Sequence, residues 1–82
     1  MKLTVLYFAA VRDLVGKDEE VVDVPASVGT IEALGEHLAA VHPELAGRLG
    51  YVRFARNEEF ARASDAVAEG DTIALIPPVA GG

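Results

Sequence analysis

Thr30-Ile31-Glu32-Ala33-Leu34-Gly35-Glu36-His37-Leu38-Ala39-Ala40-Val41-His42-Pro43 carries the longest helical period in the chain. Ile31, Leu34, Leu38 and Val41 recur at spacings of three, four and three, which is one stripe of an amphipathic helix. Thr30 is placed to cap it, because its hydroxyl can accept an otherwise unpaired amide of the first turn. Pro43 ends the helix near Val41-His42, since the residue before a proline is pushed out of the helical region. Glu32, Glu36 and His37 fall away from the centre of the stripe. Leu45 and Leu49 are placed to pin the following loop to the core.

Strand signals lie on both sides of this helix. Upstream, Lys2-Leu3-Thr4-Val5-Leu6-Tyr7-Phe8 is aliphatic, β-branched and aromatic, and reads as a first strand. Leu3, Val5 and Tyr7 share one face, Leu6 and Phe8 the other. Ala9 to Val15 suggests a short turn of helix stopped by Gly16. Glu19 to Val24 is a second strand, ended by Pro25, which cannot donate to a ladder. Downstream, Tyr51 to Ala55 reads as a third strand, Asn57-Glu58-Glu59 as a turn, and Phe60 as the start of a short fourth. Glu69-Gly70-Asp71 is another turn. Thr72 to Ile76 is the last strand, with Ile73 and Leu75 on one face. The order predicts an α+β fold with a mixed sheet of about five strands and the helix packed across one face. The first and last strands pair in parallel at its centre, a β-grasp or ubiquitin-like arrangement. Leu3, Val5, Ile31, Leu34, Leu38, Val41, Ile73 and Leu75 are the expected core.

The 82 residues suit one small domain. Residues 1–76 form the expected body and 77–82 an extended tail. Cysteine is absent, which excludes a disulfide, a thiolate metal site and a cysteine nucleophile. Thirteen acidic residues against seven basic give a net charge of −6. Nucleic-acid binding needs a cationic footprint, so no nucleic-acid partner is expected. The acidic surface suits docking to basic proteins. No apolar run approaches the roughly 18 residues of a membrane span. Leu3 to Val11 is followed at once by Arg12-Asp13 and reads as a strand rather than a signal sequence, so the expected location is cytoplasmic.

Conventional catalytic constellations fail. His37 and His42 are five apart, off the spacing that puts two ligands on one helix face, and no metal site is expected; a surface or capping role suits them. Glu19-Glu20 and Glu58-Glu59 read as solvated pairs, because neighbouring strand residues point to opposite faces. Ser27 and Ser64 have no visible base. Arg48, Arg53, Arg56 and Arg62 are interspersed with Glu58 and Glu59 and read as a mixed solvated face.

Pro77-Pro78-Val79-Ala80-Gly81-Gly82 is different. It cannot continue the sheet, and paired prolines favour a stiff extended segment that leaves the body. At about 3.1 Å per residue, such a segment reaches roughly 18 Å. Gly81 and Gly82 have no Cβ and suit a channel too narrow for side chains. The final carboxylate is a poor electrophile until it is activated, for example as an acyl-adenylate made from ATP.

Gly70-Asp71, the strand Thr72 to Ile76, Pro77-Pro78 and Gly81-Gly82, together with Val5 to Gly16, Thr30 to Leu34 and Asn57-Glu58-Glu59, resemble the small sulfur-carrier subunits of molybdopterin synthase. The resemblance covers essentially the whole chain. It implies that a ubiquitin-activating-like enzyme adenylates the Gly82 carboxylate with ATP and that a persulfide sulfur donor converts it to a thiocarboxylate. It also implies a large catalytic subunit that receives Gly81-Gly82, passes the sulfur to cyclic pyranopterin monophosphate and completes a heterotetramer. On that basis the chain holds no permanent cofactor and is a sulfur-donor subunit, not a self-sufficient catalyst. Gly82 and Gly81 are the expected reacting end. Phe8, Phe60, Ile76, Pro77, Pro78, Val79 and Ala80 are the expected partner contacts. Arg56 and Ile76 depart from the family pattern, which has an aliphatic residue and an aromatic at those positions, both near the expected partner surface. A thiocarboxylate carrier for thiamine synthesis or tRNA thiolation, or a plain β-grasp interaction module, are the alternatives.

Overall fold

The first and last strands lie side by side and parallel at the middle of one mixed sheet. In the computed structural model, which describes residues 1–78, β1 (Lys2–Tyr7) is followed by α1 (Ala9–Val15), β2 (Glu19–Asp23) and α2 (Ile31–Val41). Two short 3-10 turns, Pro43–Leu45 and Leu49–Tyr51, lead to β3 (Arg53–Arg56), β4 (Glu59–Phe60) and β5 (Thr72–Ile76). The five strands run in the order β2-β1-β5-β3-β4. Only the β1–β5 pair is parallel, with Val5 beside Ile73 and Tyr7 beside Leu75. This is the ubiquitin-like β-grasp arrangement. Val79, Ala80, Gly81 and Gly82 lie outside the described residues.

Alternation along the central strands builds the core. Leu3, Val5, Tyr7, Ile73 and Leu75 point to the α2 side and are buried, as are Ile31, Leu34 and Leu38 of the helix. Thr30 caps α2, its hydroxyl accepting from the Ala33 N–H at 3.2 Å. Leu45 is fully buried and Leu49 packs on the core.

Two expectations are corrected. Val41 is 49 % exposed. At 100° per residue, positions three and four beyond Leu38 compete for the inward direction, and His42 takes it, with its side chain only 13 % exposed. Leu45 returns after Pro43 to seal that end of the core. Tyr51 belongs to a 3-10 turn, its N–H donating to the Arg48 C=O at 3.2 Å, so β3 begins at Arg53. Among the described residues no helix is long and apolar enough to cross a membrane.

Candidate functional site

One face of the sheet carries α2, and the other is open. Register decides what the open face presents. Leu6 stands beside Ala74, Ala74 beside Ala55, and Ala55 beside Phe60. One step along, Ile76 stands beside Arg53. Phe8 continues the outward parity of β1, its N–H donating to the Leu75 C=O at 3.2 Å. Leu6, Phe8, Phe60, Ala74 and Ile76 thus line one shallow groove, with Thr72, Asn57 and Glu58 at its polar margin. Phe8 and Phe60 remain 45 % and 60 % exposed. Pro77 follows directly from Ile76, so the tail starts at the end of this groove. Contiguous exposed apolar surface of this kind marks a contact site.

The structure therefore brings Phe8, Phe60 and Ile76 together on the open face, with Pro77 and Pro78 following directly from Ile76. The remaining expected site residues, Val79, Ala80, Gly81 and Gly82, are beyond the described region. Arg53 borders the groove through Phe60. Its guanidinium lies 3.8 Å from the Phe60 ring centroid, a cation–π contact that limits the freedom of both side chains.

The β3–β4 hairpin that presents Phe60 is fixed from below. Asn57 and Glu58 take left-handed φ values of 49° and 73°, as a two-residue type I′ turn requires. The Asp71 carboxylate accepts from Arg56 Nε at 2.6 Å, Asn57 Nδ2 at 3.1 Å and the Ala68 N–H at 2.7 Å. The Thr72 N–H in turn donates to Asn57 Oδ1 at 2.9 Å. The bond from Arg56 is the largest of the influences that hold the Asp71 carboxyl below its ordinary range. Arg56 pairs in register with Ile73, whose side chain is buried on the α2 side. It therefore lies off the groove, close to Phe60 at its margin, whereas Ile76 lines the groove.

A second polar cluster sits on the α2 side. Tyr7 Oη donates to Glu20 Oε2 at 2.5 Å, and His42 Nε2 meets the same oxygen at 2.5 Å. The Tyr7 and His42 rings pack edge to face with centroids 5.9 Å apart. Lys17 Nζ reaches Glu20 Oε1 at 3.4 Å. Burial alone would raise the Glu20 carboxyl, but the bonds from Tyr7 and His42 outweigh it and hold the group below its usual value. Burial and the carboxylate beside it push the Tyr7 phenol far up. Glu20 is thus a satisfied, mostly buried anion, not a solvated charge. His42 caps α2 through its N–H, which donates to the Leu38 C=O at 2.7 Å, while its ring turns inward. Parity carried the missed signal, because Glu20 shares its face with Val22 and Val24, which are buried.

Nothing in these clusters resembles a nucleophile with its base. Among the described residues, no group of three or more His, Asp or Glu side chains could hold a metal ion. What the site offers is an apolar contact surface where Pro77 and Pro78 follow the last strand.

The whole chain resembles known proteins in three respects. A family model described as the ThiS family matches residues 5–82. The chain is 37 % identical over 84 residues to the molybdopterin synthase sulfur carrier subunit of Chlamydomonas reinhardtii, covering 100 % of each. It is 39 % identical over 82 residues to the subunit of that name in Escherichia coli, covering 98 % of this chain and 99 % of that one. Among solved structures, SAMP1 from Haloferax volcanii superposes with a TM-score of 0.87 at 30 % identity, over 100 % of both chains.

Proposed function

The chain belongs to the ThiS family, and on that premise we propose that it is a sulfur carrier for molybdenum cofactor biosynthesis, acting in the cytoplasm. The observation that carries the reading is the full-length likeness to molybdopterin synthase sulfur carrier subunits. The position of the groove supports it. A carrier must hold its partner firmly while only its end reacts, and the tail starts where Phe8, Phe60 and Ile76 gather.

The chemistry follows from the carboxylate. An activating enzyme joins the Gly82 carboxylate to the AMP portion of ATP, and pyrophosphate leaves. The terminal sulfur of a donor persulfide attacks the acyl carbon and displaces AMP. A thiol then cleaves the resulting acyl disulfide, which leaves a thiocarboxylate on Gly82. The groove docks on the large subunit of molybdopterin synthase, Pro77-Pro78 directs the tail, and sulfur passes to cyclic pyranopterin monophosphate. Because no cysteine occurs in the chain, no internal thiol competes for the activated carbonyl.

Mass spectrometry of the protein from its native cell tests this. One oxygen exchanged for sulfur at Gly82 is the expected result, and a terminus that stays unmodified while the cofactor is being made would overturn the reading. A second reading rests on the likeness to the small archaeal modifier protein 1 of Haloferax volcanii, 34 % identical over 83 residues. There the activated Gly82 would acylate an amine instead of taking sulfur, and the same spectra would show lysine residues of other proteins carrying this chain.

A further inference from the structure

β2 is the outer strand of the sheet, and β1 occupies only one of its edges. The ladder fixes which backbone groups are used. The Tyr7 N–H donates to the Asp18 C=O at 2.9 Å, and the Val24 N–H to the Met1 C=O at 2.8 Å. In an antiparallel pair, residues facing the partner alternate with residues facing away. Asp18, Glu20, Val22 and Val24 therefore turn their N–H and C=O toward β1. Glu19, Val21 and Asp23 turn theirs outward, and none of these groups has a backbone partner among the described residues.

The side chains of the same three residues share the sheet face opposite α2. Val21 is 65 % exposed and stands between the exposed Glu19 and Asp23. The other outer strand, β4, has only two residues. Long free edges are usually blunted by an inward-pointing charge, a proline, a bulge or a central lysine. β2 has an unbroken register and neither proline nor lysine within it, and its one inward-pointing charge, Glu20, is already satisfied by Tyr7 and His42. Its exposed protection is charge of a single sign. Antiparallel pairing of two copies about Val21 would set Glu19 of each against Asp23 of the other, and like charges directly opposed are destabilising. The edge therefore rejects its own copy and favours a cationic strand, and the chain's net charge of −6 adds to that preference.

We propose that the free edge of β2 docks an extended basic segment of another protein, read as cation-x-apolar-x-cation. The apolar residue lies beside Val21, and the cations lie beside Glu19 and Asp23. The pattern follows from the period of two, since residues opposite Glu19, Val21 and Asp23 alone share their face. Asp23 is partly engaged by the α-amino group of Met1 at 3.3 Å and stands across from Lys2. Glu19 stands across from Leu6 and is the stronger anchor. The added strand would extend the sheet at the edge away from β4. Phe60, Ile76 and Pro77 stay free, and the two surfaces can be occupied together.

The test uses the full chain, isotope-labelled, with two short synthetic peptides. One alternates threonine with Lys, Val and Lys in turn, and the other has glutamate in place of each lysine. The lysine peptide should slow exchange of the Glu19, Val21 and Asp23 amides and bind about tenfold tighter than its glutamate counterpart, the sum of two modest surface ion pairs. The double substitution Glu19→Lys with Asp23→Lys should reverse that order. Equal binding of the two peptides, shifts confined to Phe8 and Phe60, or dimers of the free protein joined through β2 would each overturn the proposal.

Discussion

Arg53 places its guanidinium carbon 3.8 Å from the centroid of the Phe60 ring, on adjacent strands of the open sheet face. The contact steadies an aromatic that is otherwise 60 % exposed at the margin of the groove. A steadied aromatic loses less side-chain entropy on binding, and aromatics of this kind commonly dominate interfaces. Phe60→Asp should leave the isolated domain folded, with its melting temperature within a few degrees of the wild type. It should weaken binding to the large subunit by about 2 kcal/mol or more, roughly 30-fold. Calorimetric titration beside a thermal melt separates the two effects. An unfolded variant or unchanged affinity would refute the docking role.

The turn that presents Phe60 holds Glu58 at a φ of 73°, where a residue with a Cβ is strained and glycine is preferred. Glu58→Gly should stabilise the domain by up to about 1 kcal/mol. The relief of strain exceeds the extra freedom that glycine gives the unfolded chain. Denaturant midpoints at neutral pH measure this, and a lower midpoint would show that the Glu58 side chain contributes more than its backbone costs.

Leu34 is fully buried between α2 and the sheet. Leu34→Ala should cost roughly 2–5 kcal/mol, enough to unfold much of a small domain at physiological temperature. A melting temperature unmoved by the substitution would contradict the packing of α2.

The body of the fold was readable because its two periods are clean. Ile31, Leu34 and Leu38 mark a helix face, and Leu3, Val5 and Tyr7 with Ile73 and Leu75 mark two strand faces, all buried as expected. The groove was readable for the same reason: once β1 and β5 are neighbours, Phe8 and Ile76 must share the opposite side. Periodicity failed where two residues competed for one direction, as Val41 and His42 do at the end of α2. It also failed for polar side chains, because parity places Glu20 inward but does not say that Tyr7 and His42 arrive there to satisfy it. Arg56 reads as a solvated charge in the sequence because its partner, Asp71, lies beyond the β4 hairpin and is 15 positions away.

Gly81 and Gly82 are proposed as a steric key as well as the reacting end. Pro77 and Pro78 restrict the same segment in which side chains disappear only at the last two positions, so flexibility alone does not explain the glycines. Gly82→Ala adds one methyl next to the reacting carbon and should slow adenylation or sulfur transfer about 100-fold, since a small misplacement there is costly. Deleting Gly82 should abolish transfer and leave the melting temperature and groove binding intact. Activation and sulfur release are scored separately with purified partner enzymes. Full product formation by the deletion variant would exclude the Gly82 carboxyl as the carrier group.

Glu20 links acid stability to the buried cluster. Its carboxyl is held below the ordinary value by the bonds from Tyr7 and His42, which outweigh the opposing effect of burial. A group depressed in the folded state stabilises the fold above its unfolded pKa, about 4.3 for a glutamate, and that contribution is lost as pH falls through the folded value. Glu20→Gln keeps the shape but cannot carry the charge. It should therefore lower stability at neutral pH and flatten the decline between neutrality and strong acid. Part of the decline should persist, because Asp71 is depressed in the same sense by Arg56. Denaturant midpoints from pH 7 downward are the measurement. Curves for variant and wild type that fall in parallel would show that Glu20 contributes no pH-dependent stability and that its contacts with Tyr7 and His42 add nothing beyond neutral hydrogen bonding.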